Sequence, residues 1–304
     1  MPADDYRLTT REIARFAADG YLRFDGLVPT ELNEAVVERL GPMASVKISQ
    51  ALGVPSDQDI GARPVSRTPL SECYPDPSPI GAVLRLPQVQ GIIRSLVGDD
   101  PFFDHDFVHV LSGGSTYLQH LHIDAITDSN DPTFDIQLFY FPRAVRTGGT
   151  RFVPGSHLRR VRPEQVARYQ HIAGEEFYEG EAGTVLVFHH GLWHAGQPNP
   201  GEETRWMYKI RLNPRVPQVR LWNTDDFAAV HNDPSDHTFA TMRVDSVANT
   251  LRQLQPWQQG HEGRIELVQR ARLWRYLSGD PTYDADYYLT RLEDRAGLLG
   301  EDEN

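Results

Sequence analysis

The chain has 304 residues, a formal net charge of −12 and one cysteine, Cys73. This length can bury a sizeable core, and we expect one domain over residues 1–304. The acidic balance argues against nucleic acid or an anionic membrane as the main partner, since both bind basic surfaces, and a lone cysteine excludes an intrachain disulfide and a multi-thiolate metal site. We find no signal peptide and no apolar run long enough to span a membrane, so we expect a cytoplasmic location.

The first hundred residues indicate helices separated by a long loop. Residues 9–12 (TTRE) form a capping box, which predicts a helix to about Asp19. Residues 31–40 carry an apolar stripe at helical spacing, and residues 87–97 predict a third helix that ends at a glycine. Several prolines and glycines interrupt residues 43–79, so we predict a loop region with short pieces of structure there.

From residue 102 the apolar residues alternate, which is the period of a β-strand. The predicted strands cover residues 107–111, 117–124, 134–141, 149–153, 184–189 and 205–212. Six or more short strands with turn residues between them predict a barrel or sandwich. We predict helices at residues 163–170, 245–255, 263–277 and 284–298.

A possible metal site lies in the predicted strand 117–124. Side chains two residues apart in a strand point the same way, so His122 and Asp124 could bind one cation together. This pattern alone is weak, because it occurs again at His231 in a turn-rich segment that we interpret as a solvated loop. His120 shares the same face, and we favour a contact to a ligand residue or to substrate over direct metal binding.

Four motifs together resemble one protein family. They are His122-x-Asp124, GGTRFVPGSH at residues 148–157, GTVLVFHHGLWHAGQPN at residues 183–199, and Arg205 eleven residues after His194. This part of the chain resembles the phytanoyl-CoA dioxygenase (PhyH) family of Fe(II)/2-oxoglutarate-dependent oxygenases. The resemblance covers roughly two thirds of the chain, including the segment that opens with the first predicted helix.

The resemblance implies a fold. It is mainly β with flanking helices: a double-stranded β-helix (jelly-roll, cupin-like) barrel at about residues 102–215, preceded by N-terminal helices. We expect the helical extension at about residues 224–304 to pack on this barrel, since its apolar stripes need a partner. Trp257, Trp274 and Tyr283 are its expected anchors.

The resemblance also implies a metal and its ligands. It assigns Fe(II) to His122, Asp124 and His194, and it passes over His189 and His190. Two histidines and one carboxylate leave coordination positions open, which suits a metal that must also bind an oxo-acid and O2.

The cosubstrate implied is 2-oxoglutarate. Arg205 would bind its distal carboxylate, since a guanidinium can donate two parallel hydrogen bonds to a carboxylate. The resemblance also implies that Gln137 and His109 belong to the pocket that binds the cosubstrate.

The segment between His194 and Arg205 suggests a hairpin. The two residues lie symmetrically about Asn199-Pro200, so they would face each other if the flanking strands paired. One position departs from the family pattern: Gly196 stands where a serine is frequent, so Arg205 would lack a hydroxyl partner.

The implied reaction is hydroxylation of a small-molecule metabolite or natural-product intermediate, with 2-oxoglutarate and O2 consumed and succinate and CO2 released. Related halogenases carry Gly or Ala at the carboxylate position, so Asp124 favours hydroxylation, desaturation or ring formation over chlorination. Two alternatives stay open. One is a non-redox metal-dependent hydrolase or isomerase with Zn(II) or Mn(II), and the other is a non-catalytic ligand-binding barrel. The oligomeric state is left open.

Overall fold

The computed structural model describes residues 6–40, 64–124, 131–159, 171–231, 246–258 and 263–284. The helix predicted at residues 163–170 lies outside this part of the chain, as does the one at residues 284–298 apart from its first residue. Most of the predicted loop region at residues 43–79 lies outside it as well.

The N-terminal helices follow the sequence signals. Helix α1 (Thr10–Asp19) begins with the predicted capping box, in which Thr9 and Glu12 exchange hydrogen bonds, and it ends at Gly20 with φ of 78°. The described helices that follow are α2 (Thr30–Leu40), α3 (Pro79–Leu84) and α4 (Pro87–Val97), with a 3-10 turn at Leu70–Glu72. Helices α1, α3 and α4 bury apolar residues in the main hydrophobic core.

A five-stranded antiparallel sheet, the major sheet, forms one wall of the molecule. Its strands, in spatial order, are β1 (Tyr21–Phe24), β6 (Thr184–His189), β3 (Ile136–Phe141), β8 (Arg205–Asn213) and β2 (Phe102–Leu111). Alternate residues of β3 face opposite sides, because strand side chains have a period of two. Ile136 and Leu138 pack in the main core, whereas Phe139 and Phe141 belong to a second apolar cluster on the other face.

A smaller antiparallel sheet, the minor sheet, contains β5 (Glu176–Phe177), β4 (Arg151–Phe152) and β7 (His194–Ala195) in that order. His122 joins it through an isolated antiparallel bridge to His194. The fold is therefore mainly β with flanking helices, as predicted. In the part of the chain that the structure describes, the two sheets are not closed into one hydrogen-bonded barrel.

The prediction of a regular strand at residues 117–124 is wrong. Within this segment only His122 forms a bridge, and the other residues belong to no strand. Gln119 and Gly196 make one backbone hydrogen bond, from the amide of Gln119 to the carbonyl of Gly196 at 3.0 Å, whereas the amide of Gly196 donates to the side-chain Oε1 of Gln119 at 2.7 Å.

The predicted hairpin between His194 and Arg205 is also wrong. Strand β7 pairs with β4 in the minor sheet, whereas β8 pairs with β2 and β3 in the major sheet. Arg205 lies opposite Leu111 of β2. The chain from His194 to Arg205 therefore crosses from one sheet to the other.

Three further helices follow the sheets: α5 (Phe227–His231), α6 (Val247–Arg252) and α7 (Gly263–Ser278). Helices α6 and α7 contact α1. Trp274 is fully buried with its ring centroid 5.9 Å from that of Trp222, and Trp257 stacks on Trp193 at 6.0 Å. None of the helices in the described ranges has the length and hydropathy that a membrane crossing requires.

Candidate metal centre

Three potential metal ligands converge beside the minor sheet. Nε2 of His122 lies 3.4 Å from Oδ1 of Asp124, and Nε2 of His194 lies 3.4 Å from Oδ2 of the same carboxylate. One ligand atom from each side chain can be chosen so that all three lie within 4.8 Å of one another. One cation could therefore contact all three residues.

Backbone carbonyls orient both imidazole rings. Nδ1 of His122 lies 2.8 Å from the carbonyl oxygen of His120, and Nδ1 of His194 lies 2.9 Å from that of Leu192. A carbonyl can only accept a hydrogen bond, so each Nδ1 carries a proton and each Nε2 is left to bind a metal. Two imidazole nitrogens and one carboxylate are the donor set suited to non-haem Fe(II).

The charge state of Asp124 suits a cation. Burial by itself would raise the pKa of this carboxyl, but its interactions with His194, His122 and the ammonium of Lys209 hold the pKa far below its usual range. Burial lowers the pKa of His194, and the attraction of Asp124 only partly opposes it. At neutral pH the group therefore offers an anionic oxygen and a neutral imidazole.

A cavity between the two sheets opens onto this group. Residues from both sides line it: His122, His194, Gly196 and Gln197 on one side, and His109, Phe139, Phe141, Arg205, Met207 and Lys209 from the major sheet. Its walls combine aromatic rings with a few polar groups, which is typical of a small-molecule site.

Arg205 is held in this cavity by backbone carbonyls. Its Nη2 donates to the carbonyl oxygen of Gln197 at 2.6 Å and its Nη1 to that of Pro198 at 3.4 Å. Burial lowers the pKa of Arg205 to about 10, so the guanidinium stays charged at neutral pH. These carbonyls hold the guanidinium at a site where Gly196 provides no hydroxyl.

Comparison with known proteins identifies the family. The sequence model of the phytanoyl-CoA dioxygenase (PhyH) family matches residues 16–207, well over half of the chain. The chain belongs to the phytanoyl-CoA dioxygenase family. A comparison with curated proteins finds no match.

Solved structures show the same fold at low sequence identity. AviO1 from Streptomyces viridochromogenes Tue57 is 20% identical over 68% of this chain and 96% of its own, with a TM-score of 0.50. EctD from S. alaskensis, in a structure with 2-oxoglutarate and 5-hydroxyectoine, is 19% identical over 69% of this chain and 78% of its own, with a TM-score of 0.52. Membership of the PhyH family indicates an Fe(II)/2-oxoglutarate-dependent oxygenase, with Fe(II) as cofactor and 2-oxoglutarate and O2 as cosubstrates.

The structure of this PhyH-family chain also places Lys209 at the site, a residue that the sequence analysis did not predict to be there. Nζ of Lys209 lies 2.6 Å from Oδ2 of Asp124, and its side chain is 8% exposed. The sequence did contain a signal for this position. Lys209 lies four residues after Arg205 in a predicted strand, and this spacing puts both side chains on one face.

The other residues singled out in the sequence, His109, Gln137 and His120, differ in their position relative to the cavity. His109 lines the cavity, and burial together with the charge of Lys209 lowers its pKa to about 3, so its imidazole is neutral. Gln137 is fully buried on the face of β3 that carries Phe139, but it is not among the residues that line the cavity. His120 is exposed, and it contributes its carbonyl to the orientation of His122.

Proposed function

We propose that His122, Asp124 and His194 bind one Fe(II) and that Arg205 binds the distal carboxylate of 2-oxoglutarate. The observation that carries this proposal is the convergence of two Nε2 atoms and one carboxylate in a cavity that also contains a buried guanidinium. We further propose that the reaction is hydroxylation of a small-molecule metabolite or natural-product intermediate. Succinate and CO2 are the co-products.

Fe(II), when bound, supplies the O2-dependent chemistry that couples decarboxylation of 2-oxoglutarate to oxidation of the substrate. The protein's own residues hold and orient the reactants. The carbonyls of His120 and Leu192 fix the two imidazoles, so the ligands are oriented before the metal arrives. Phe139 and Phe141 add apolar surface to the cavity, and the ring centroid of Phe139 lies 5.6 Å from that of His194.

Asp124 bears on the outcome of the reaction. Its carboxylate is in place between the two histidines and is anionic at neutral pH. It therefore occupies the position that a metal-bound chloride would need and adds a negative charge that opposes one. EctD, whose solved structure contains 2-oxoglutarate and 5-hydroxyectoine, offers a precedent for a hydroxylated small molecule beside this cosubstrate.

An anaerobic titration tests the proposed metal and cosubstrate. An oxo-acid chelated to Fe(II) gives a visible charge-transfer band, so the band should require both Fe(II) and 2-oxoglutarate. A hydrolase or isomerase that uses Zn(II) or Mn(II), or a ligand-binding barrel without activity, would give no such band. Metal binding without the band would therefore reject the oxygenase assignment.

The substrate class is tested by turnover. A panel of small metabolites should contain compounds that stimulate succinate release above the rate without substrate, and mass analysis should find one added oxygen atom in the product. Stimulation without any change in the added compound would reject hydroxylation.

A further inference from the structure

The inward face of β8 carries two cations. Arg205, Met207 and Lys209 all line the cavity, because side chains two residues apart in a strand share a face. Arg205 and Lys209 start about 13 Å apart along the strand. Arg205 reaches towards the carbonyls of Gln197 and Pro198, whereas Lys209 reaches towards the metal ligands. The two cations therefore stand at opposite ends of the cavity, with Met207 between them.

Lys209 is held tightly at the metal end. Its Nζ lies 5.5 Å from the ring centroid of Phe107 and 5.8 Å from that of Phe139, so two aromatic faces stabilise the ammonium. Among the residues that the structure describes, Asp124 is the carboxylate with which it pairs. His109, which lines the same cavity, is neutral and adds no second positive charge there.

A divalent metal at Asp124 changes the electrostatic balance around Lys209. Asp124 would then share its charge between the metal and the ammonium, and these two cations repel each other. A buried ammonium that loses part of its partner needs another anion nearby. The carboxylate next to the keto group of 2-oxoglutarate is such an anion, since it is the end of the molecule that binds at the metal.

We propose that Lys209 is the second cationic contact for the cosubstrate. Its ammonium binds the carboxylate at the metal end, and Arg205 binds the distal one, so one strand brackets the dicarboxylate and Met207 lies along its carbon chain. This inference rests on the proposed function. It assigns Lys209 a role in selecting an oxo-acid and in placing it at the metal.

Calorimetric titration of the Ni(II)-loaded protein with two oxo-acids tests the inference. 2-Oxoglutarate has both carboxylates, whereas 2-oxobutanoate lacks the distal one. Lys209→Met should weaken binding of both by more than roughly tenfold, since each loses a charged partner in a buried site. Arg205→Met should weaken binding of 2-oxoglutarate and leave that of 2-oxobutanoate close to the wild-type value.

Two variants serve as controls. Lys209→Arg keeps the positive charge and should restore most of the affinity for both oxo-acids. Arg215→Met removes a cation that lies just beyond β8, pairs with Asp100 at 2.9 Å and also packs on an aromatic ring, but lies outside the cavity lining. It should leave oxo-acid binding unchanged.

Metal binding separates a contact to the cosubstrate from a purely structural role. The metal-free Lys209→Met protein should bind Ni(II) at least as tightly as wild type, because a positive charge next to the metal has been removed. Unchanged oxo-acid binding in Lys209→Met would overturn the inference. A parallel loss of Ni(II) and oxo-acid affinity would also overturn it, since Lys209 would then only position Asp124. If the Ni(II)-loaded wild type binds neither oxo-acid, the proposed function itself fails, and the inference fails with it.

Discussion

The backbones of His122 and His194 exchange two hydrogen bonds, with each amide nitrogen 3.0 Å from the carbonyl oxygen of the other residue. This single antiparallel bridge joins a segment without regular strand structure to the short strand β7. It places the two imidazole rings with their centroids 4.6 Å apart. The spacing of the two histidines is thus fixed by the backbone before any metal binds.

We expect His122→Ala and His194→Ala each to abolish turnover and to lower Fe(II) affinity by at least about 100-fold. The loss of a residue that only orients a metal ligand can already lower metal affinity by up to about 100-fold, and these residues are proposed to be ligands themselves. Metal content after dialysis and calorimetric titration measure the effect. His120→Ala is the matched control, because it removes an exposed ring and keeps the carbonyl that orients His122. A histidine whose loss leaves metal content at the wild-type level does not belong to the ligand set.

We expect Arg205→Ala to raise the 2-oxoglutarate concentration needed for half-maximal succinate release by more than roughly tenfold, because a charged partner is lost from a partly buried site. Arg143→Ala, at an exposed position outside the cavity lining, should leave that concentration unchanged. An unaltered requirement in Arg205→Ala would place the distal carboxylate elsewhere.

We propose that the C-terminal helices and the sheets unfold as one domain. Trp274 of α7 packs on Trp222, whose Nε1 donates to Oγ1 of Thr10 in α1 at 3.0 Å. Trp274→Ala should therefore lower the free energy of unfolding by about 3 to 5 kcal/mol, as measured by urea denaturation. Ile265→Ala, on an exposed position of the same helix, should change it by less than about 0.5 kcal/mol. A truncated chain ending at Asn223 that stays folded and fully active would contradict the single domain.

Buried histidines should make the fold sensitive to acid. Burial lowers the pKa of His157 to about 3, with Arg270 adding to the effect, and it lowers the pKa of His189 well below its usual value. Below pH 6.5 the unfolded chain takes up protons that the folded protein excludes, so stability falls as pH decreases. Each such histidine contributes a loss of about 1.4 kcal/mol per pH unit.

Urea denaturation at several pH values between 4.5 and 7.5 measures this slope. His157→Gln should reduce the slope by the contribution of one histidine, since the amide does not titrate. A slope in His157→Gln equal to that of wild type would show that His157 does not contribute.

We expect an oxygenated product, and not a chlorinated one, when the reaction runs with excess chloride. The carboxylate oxygens of Asp124 lie 3.4 Å from Nε2 of both histidines, so in the proposed site this carboxylate takes the coordination position that chloride would need. Mass analysis distinguishes the two products. A chlorinated main product from the wild type would overturn both the expected outcome and the assignment of Asp124 as a metal ligand.

Local sequence signals predicted much of the fold. The capping box at Thr9 and the alternating run at residues 184–189 correspond to α1 and β6 as observed. Such signals depend on neighbouring residues, which the sequence shows directly. They say nothing about pairing between distant strands, and for this reason β7, with two residues, was assigned the wrong partner.

The candidate site was predicted less completely. Motif spacing singled out His122, Asp124, His194 and Arg205, and the structure brings all four to one region. Lys209 was missed, because the polar face of an alternating strand looks the same whether it meets solvent or an internal cavity. Tyr208 and Ile210 pack in the main core on the other face of β8, and this shows that the polar face turns towards the cavity.

The crossing of the chain between His194 and Arg205 has a mechanical consequence. In the proposed complex, the metal end of 2-oxoglutarate is attached through the metal to the minor sheet and through Lys209 to the major sheet, and its distal end is attached to the major sheet. The cosubstrate then links the major and minor sheets for as long as it is bound. In the described part of the chain these two sheets share no hydrogen-bonded strand. Side chains already link the two sides, because Lys209 pairs with Asp124 and Arg205 donates to the carbonyls of Gln197 and Pro198. Metal with 2-oxoglutarate adds a further link. Loss of the cosubstrate as succinate and CO2 in each cycle would remove that link.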